Sequence, residues 1–248
     1  MKSQISFLLI LASLLFGCRK EESFQFEIKA LEKETCISAQ CATVNVSFPF
    51  YSGTSEQEFM LNAHIEQQLL MMVSQGEHHD MDLAAAIDSI LQEYQAFVEE
   101  FGPSQAWEVE VNARESYRGK GVLSIQFDSF VYMGGAHPNS FRQYLNIDTQ
   151  TGSLLKNEEI IKNEQKLLAL VERKFREHHG VEDGVSLEDD GRFFLPEDGK
   201  FFLPVSIGFE EGDFVVYYNA YEIGPYVMGP TSLKFDRKEL EGTVRFVD

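Results

Sequence analysis

An α+β fold is what the hydrophobic periodicity predicts: antiparallel sheets with about three amphipathic helices packed on one face, in two associated halves. Two observations carry this expectation. Segments of period two and segments of period 3.6 are grouped along the chain rather than alternating one for one, which argues against a doubly wound parallel sheet. In addition, 44% of the residues are hydrophobic and 12% aromatic, enough apolar material for a core and too much for a disordered chain. With 248 residues, the chain makes one large domain or two small ones sharing an interface.

The N-terminus reads as a leader. Lys2 supplies a positive start, and Ile5 to Phe16 is a run of apolar and small residues. Twelve residues are too few to span a bilayer, which takes about 20, and suit the apolar region of a signal peptide. The run ends in Leu15-Phe16-Gly17-Cys18, which resembles the lipobox at which a signal peptidase cuts before a lipid-modified cysteine. Residues 1–17 are therefore expected to be a lipoprotein signal peptide, Cys18 the lipidation site, and 18–23 a tether. Arg19-Lys20-Glu21-Glu22 resembles the export signal of surface lipoproteins and reads equally well as a solvated linker. The expected location is the cell envelope, lipid-anchored, at the outer membrane and on its surface if the export signal is real. No later segment approaches 18 consecutive apolar residues.

The ordered region divides into an N-terminal half, 24–133, and a C-terminal half, 134–248. Phe24 to Ile28 and Val44 to Phe48 alternate as strands do. Cys36 and Cys41 remain as an even pair in an oxidising compartment, expected to form a disulfide at the neck of a hairpin whose loop is Ile37 to Gln40. Ser55 and Glu58 form a capping box, and Leu61, Ile65, Leu69, Met72 and Val73 make one helical stripe. A second helix over about Asp82 to Phe101 buries Leu83, Ile87, Leu91, Tyr94, Val98 and Phe101 and stops at Gly102-Pro103. Trp107, Val109 and Val111 then mark a strand with one wet face. Val122 to Met133 is the next, with Leu123, Ile125, Phe127 and Phe130 on the core side, and Phe141 to Ile147 follows. A third helix runs over about Asn163 to His178, turning Leu167, Leu168, Val171 and Phe175 inward. Val181 to Asp213 is read as loops around short strands, and Phe214 to Tyr218 and Ser232 to Phe235 close the series.

Charge narrows the partners. Forty acidic residues against 21 Lys and Arg give a formal net charge of −19, and loss of a leader whose only charge is Lys2 brings it to −20. Such a surface repels nucleic acid and anionic headgroups and steers cationic partners; it also serves plain solubility. Val181 to Asp213 holds ten acids and only Arg192 and Lys200 as cations, making it the expected contact surface for a cationic protein. No cofactor motif is present, and neither is a P-loop, a Gly-x-Ser-x-Gly elbow or a cysteine nucleophile pattern.

Three groups of residues remain for chemistry. In Gly134-Gly135-Ala136-His137-Pro138-Asn139 the glycines permit positive φ and Pro138 holds His137 extended, so His137 is either a general base or metal ligand or a residue that braces its own turn. In Tyr221-Glu222-Ile223-Gly224-Pro225-Tyr226, Glu222 is either an acid between aromatics or a carboxylate bonded to the backbone of a packed turn. An enzymatic reading would use His137 and Glu222 with Asp128 in one cleft. Glu77-His78-His79-Asp80 and His178-His179 lack the His-x-x-x-His spacing of a helical metal site, and no metal is expected. A glycan-binding reading would need exposed Trp107, Tyr132 and Tyr226.

The two motifs in this order resemble an uncharacterised-domain family. The glycine loop precedes Phe141 to Asp148 and Thr151-Gly152; after a helix come Phe193-Phe194-Leu195, Phe214 to Tyr218, the Tyr221–Tyr226 motif and Gly229. The family occurs in the ectodomain of the lysozyme-sensing anti-sigma factor RsiV and in the non-catalytic N-terminal part of the peptidoglycan deacetylase PdaC, and the resemblance covers most of residues 24–240. It implies a cell-envelope role near peptidoglycan or in binding lysozyme. It also marks Gly134, Gly135, His137, Asn139, Tyr221, Glu222 and Tyr226 as fold-defining positions, and these are the candidate binding residues. The deacetylase's metal-dependent His and Asp motifs have no counterpart here, so the resemblance implies no reaction.

Overall fold

The computed structural model describes residues 24–76, 81–102, 105–119 and 121–246. The leader, Cys18, the tether and the Glu77–Asp80 histidine pair lie outside them. Strands β1 (Phe26–Ile37) and β2 (Gln40–Tyr51) form a long hairpin. Its turn is only Ser38 and Ala39, because pairing continues past the expected loop to Ile37 and Gln40. Ser38 takes the left-handed conformation, φ 59°, that a tight two-residue turn demands. Cys36 and Cys41 are direct cross-strand partners and are joined by a disulfide.

Two antiparallel helices follow. Helix α1 (Glu56–Val73) starts on the capping box: Ser55 Oγ accepts from the Glu58 backbone N–H at 3.3 Å, and the Glu58 carboxylate accepts from the Ser55 N–H at 3.3 Å. Helix α2 (Leu83–Phe101) is capped by Asp82, which accepts from Ala85 N–H at 2.8 Å, and ends at Gly102 with φ 83°. Phe101, expected inside, is 67% exposed in the last turn, its ring resting on Phe97. The helix pair carries the chain back over the sheet, so β3 (Trp107–Gly119) joins β2 in parallel. That is the one departure from antiparallel pairing among the described strands, and it follows from the crossover. Strands β4 (Val122–Tyr132), β5 (Asn139–Asp148) and the short β6 (Leu154–Leu155) complete a six-stranded sheet in the order β1-β2-β3-β4-β5-β6.

One face of this sheet carries Val44, Val46, Val109, Val111, Leu123, Ile125 and Phe127, all buried under Leu61, Ile65, Leu69, Ile87 and Tyr94 of α1 and α2. Each such fully buried side chain is worth about 1.5–3 kcal/mol over an exposed one. Trp107 belongs to this core, with Tyr94 and Phe97 against its ring.

The rest of the chain builds a second core. After α3 (Asn157–Ile160), α4 (Glu164–His179) and α5 (Leu187–Asp190), strands β7 (Ser206–Glu210), β8 (Asp213–Tyr218) and β9 (Thr231–Phe235) form an antiparallel sheet in that order. Leu167, Val171 and Phe175 of α4 pack with Ile207, Phe209, Val216, Leu233 and Phe235. The third large helix therefore covers the small sheet rather than sharing a face with α1 and α2. A register shift between Glu115 and Tyr117 turns Tyr117 onto the face that bears Val122, and both join this second core.

The two sheets meet through a buried polar seam. Strand β7 is an edge strand, and its outward backbone groups find side chains of the large sheet. Asn146 Nδ2 donates to Ile207 O at 2.8 Å, Phe209 N–H donates to Ser124 Oγ at 3.1 Å, and Ser116 Oγ donates to Phe209 O at 2.7 Å. Ser124 Oγ also donates to Asn146 Oδ1 at 2.8 Å. Gly208 lies so close to Tyr144 that a Cβ there would sit 2.4 Å from the ring. The small sheet covers only the end of the large sheet's second face that bears Val122, Ser124, Gln126 and Tyr144. Asp128, Phe130 and Tyr132, further along the same face of β4, are left partly exposed with their neighbours on β1 to β3.

Candidate functional site

The glycine loop and the Tyr221–Tyr226 motif meet at the junction of the two sheets. Gly134 and Gly135, at φ 85° and 119°, swing the chain from β4 into β5 and have open space where a Cβ would stand. His137 stacks on Tyr226 with ring centroids 3.9 Å apart and 18° between planes. Tyr221 lies 5.5 Å from Tyr226, and its hydroxyl stands 3.4 Å from His137 Nε2. Two hydrogen bonds brace the loop: His137 Nδ1 donates to Pro138 O at 2.9 Å, and Tyr226 Oη donates to the same oxygen at 3.1 Å. Tyr221 is in the left-handed region, φ 67°, and 54% exposed; Val227, next to Tyr226 in the chain, is 92% exposed.

Glu222 takes the second of the two roles its sequence allowed. Its Oε2 accepts from Asn219 N–H at 2.8 Å and its Oε1 from Val205 N–H at 3.4 Å, so both oxygens serve backbone donors. Asp128 is equally committed. Arg142 donates to it through Nε at 2.6 Å and Nη2 at 3.2 Å, and Gln126 Nε2 donates at 2.5 Å. Desolvation of the half-buried guanidinium opposes its charge, but the Asp128 carboxylate outweighs this and holds the Arg142 pKa above its ordinary value. No hydrogen bond among the described residues joins His137, Glu222 and Asp128 to one another; the partners are Pro138 O and Tyr221 for His137, backbone N–H groups for Glu222, and Arg142 and Gln126 for Asp128.

Asn219, which the sequence pattern did not single out, ties the motif to the sheet. Its Oδ1 accepts from Arg142 N–H at 2.7 Å and its Nδ2 donates to Arg142 O at 3.0 Å. The side-chain amide thus pairs with β5 as a strand neighbour would. An Asn closing β8 was the only available signal. Asn139 begins β5 opposite Val131.

Beyond this junction lies the uncovered part of the large sheet's second face. A groove of about 310 Å³ runs over it, with Glu110, Asn112, Asp128, Phe130, Arg142 and Tyr217 along its walls. The Arg142 guanidinium lies 4.8 Å from the centre of the Tyr217 ring. At the covered end Tyr144 is buried, and desolvation pushes its pKa up to about 12. Asn112 donates through Nδ2 to Glu110 Oε1 at 2.5 Å and accepts from Ser47 Oγ at 2.7 Å, which fixes the Glu110 carboxylate.

The acids of 182–213 are partly neutralised, by two cations of the segment and two from elsewhere in the chain. Asp190 pairs with Arg192 and Asp198 with Lys200, and Glu210 is held by Arg114 and, at 2.9 Å, by Lys234. Burial resists ionisation of Glu210, but these two cations prevail and its pKa lies below the ordinary carboxylate value. Of the aromatics a glycan reading would use, Trp107 is buried in the first core, and Tyr132 and Tyr226 are partly covered. Among the described residues, the one acid and cysteine cluster with metal-ligand spacing is Glu34, Cys36 and Cys41, whose sulfurs are tied in the disulfide. His179 is held by a 2.9 Å hydrogen bond with Thr231 Oγ1 and packs on Phe175. No helix of the described residues is long and apolar enough to cross a membrane.

A two-sheet α+β scaffold of this kind, with its glycine-loop and Tyr221–Tyr226 motifs braced against each other and one sheet face open, belongs to a domain class whose fold is shared by solved structures. Residues 35–140 match the family model described as deacetylase PdaC, and residues 153–238 match that of the protein of unknown function DUF3298. The chain belongs to this PdaC/DUF3298-like family. A DUF3298 family member from Bacteroides fragilis has the same fold at 19% identity and a TM-score of 0.67, over 88% of this chain and 93% of that one. A DUF3298 family protein from Pseudomonas aeruginosa superposes with a TM-score of 0.60 at 20% identity, over 90% of this chain and 96% of the other. No curated protein matches the sequence.

Proposed function

We propose that the chain is a non-enzymatic binding lipoprotein of the cell envelope, anchored by lipid on Cys18 at the outer membrane, that captures a cationic protein such as a lysozyme. The observation that carries the reading is the open face of the large sheet. Glu32 and Glu34 on β1 and Glu108 and Glu110 on β3 share that face, and none of them is in a salt bridge with a Lys or Arg among the described residues. The two arginines nearby, Arg114 and Arg142, are already paired with Glu210 and Asp128. The face therefore keeps a negative charge where the 182–213 loops have spent part of theirs, and it replaces those loops as the contact surface. Against a hydrolase stands the commitment of Asp128 to Arg142 and of Glu222 to backbone N–H groups.

The test is association of the chain from residue 19, which retains the whole described fold, with lysozyme followed kinetically at low and high salt. Complementary charge acts chiefly on the encounter rate and is screened over about 8 Å at physiological ionic strength. The expected result is an on-rate that falls at least tenfold, on the order reported for steered pairs, as salt is raised. No binding, or an affinity indifferent to salt, would refute the proposal.

A further inference from the structure

Resting on that reading, we infer that the open face recognises arginine side chains in particular, through two carboxylate–aromatic pairs on β3 and β4. Glu108 is the direct cross-strand partner of Tyr132, and Glu110 that of Phe130. Directly opposed side chains on one face have Cβ atoms about 4.5–5.5 Å apart, and successive pairs repeat at about 6.8 Å. Each carboxylate thus stands beside an aromatic ring, twice in succession. The pattern extends outward: in register, Glu110 faces Asn45 and then Glu32 on β1, and Glu108 faces Thr43 and then Glu34. The open face is a row of two rings, a row of two acids, a short polar floor on β2, and a second row of two acids.

Arginine fits this arrangement better than lysine for a geometric reason. A guanidinium is planar and weakly hydrated, can lie on a ring face, and offers paired N–H donors to a carboxylate in the same plane, whereas an ammonium is a strongly hydrated point charge. The fold already uses the motif once nearby: Arg142 lies over Tyr217 while its edge bonds Asp128. Three details make the vacant pairs ready for a ligand. The Ser47–Asn112–Glu110 relay orients one carboxylate. Tyr132 is fixed at its hydroxyl, which lies within hydrogen-bond reach of the Gln105 side-chain amide and, at 3.2 Å, of Gly135 O. Phe130 stands on the wall of the groove rather than in either core. The partner this face selects is a protein or peptide segment that presents two arginines at strand-like or one-turn helical spacing.

The experiment compares hexa-arginine and hexa-lysine peptides, equal in charge, by fluorescence anisotropy at one moderate salt concentration, alongside lysozyme. Hexa-arginine should bind about tenfold tighter, a 1.4 kcal/mol difference. The Glu108→Gln/Glu110→Gln variant should lose at least tenfold for hexa-arginine, and Phe130→Leu/Tyr132→Leu should erase the preference for it over hexa-lysine. Glu188→Gln/Glu197→Gln, in the 182–213 loops, should change neither. Equal affinity for the two peptides overturns the inference, and so does salt-sensitive lysozyme binding that Glu108→Gln/Glu110→Gln leaves intact, while the proposed function survives both. Failure of every cationic probe to bind overturns the proposed function itself.

Discussion

Replacing Ser124 with alanine tests whether the two sheets are joined by a dry polar seam. Ser124 Oγ receives the Phe209 N–H and donates to Asn146 Oδ1, and the side chain is completely buried. The substitution strands two buried polar groups, an amide N–H and an amide oxygen. Each unsatisfied group costs about 1–3 kcal/mol, so the expected loss is about 2–6 kcal/mol from deletion of one oxygen atom. A chain of this size loses about 2–4 °C of Tm per kcal/mol, which places the shift at roughly 4–24 °C. Urea denaturation with a constant m-value is the assay, supported by calorimetry. The Asn146→Ala change breaks the same Ser124–Asn146 bond, so the double variant should be less destabilised than the sum by about 1 kcal/mol. Ser129→Ala, on the same strand with only a 3.5 Å contact to Phe141 O near the surface, should stay within about 0.5 kcal/mol. A loss below about 0.5 kcal/mol for Ser124→Ala would refute the reasoning, since it would mean that water already reaches Phe209 N–H.

Two further outcomes follow from the junction and from α4. Asn219→Ala removes both bonds to the Arg142 backbone and should cost about 1–2 kcal/mol; Asn219→Asp, which cannot donate to Arg142 O, should cost at least as much, and an aspartate variant as stable as the parent in urea would contradict the clamp. His179 has its pKa lowered from the ordinary 6.5, first by burial against Phe175 and Phe193 and then by the charges of His178 and Arg192, with Asp190 opposing. Its folded form resists a proton that the unfolded chain accepts, so its contribution is full above pH 6.5 and is lost as pH falls from there towards the lower folded value. Urea midpoints at neutral pH and at pH about 5.5 should therefore differ less in His179→Gln than in the parent chain, and an unchanged pH slope would show that His179 is not the group responsible.

Much of the architecture could be read from local pattern because local chemistry fixes it. The Ser55–Glu58 box, Asp82, the stripe from Leu61 to Val73 and the pair Cys36–Cys41 each act over a few residues, and each stands where periodicity and spacing put it. Strand β7 escaped because all five of its residues are buried, so Ser206-Ile207-Gly208-Phe209-Glu210 shows no alternation and its glycine suggests a loop. Phe130 was expected in the core because it lies among apolar neighbours; the even face it shares with Ser124 and Asp128 puts it on the groove instead. The site was legible only as a pair of motifs. That they meet, with His137 on Tyr226, and that Asn219 fastens one to β5, depends on contacts 77 to 89 positions apart. No short-range signal encodes such separations. Sequence gives the residue types of Glu222 and Asp128 without their partners, which are the Asn219 and Val205 N–H groups for the one and Arg142 and Gln126 for the other.

The division of the buried side chains between two cores also sets an order of assembly. Every fully buried member of the first core lies between Phe24 and Ile147, whereas the second draws on residues from Ile160 to Val244 and also takes in Val122. A chain emerging N-terminus first can thus close its helix-covered sheet before β7 to β9 exist. The small sheet has no such independence, because its outer strand needs Ser116, Ser124 and Asn146 for its edge. The earlier half acts as a template on which the later half condenses, so damage to the first core disables both, while a lesion in the second leaves a sheet already closed on its helices.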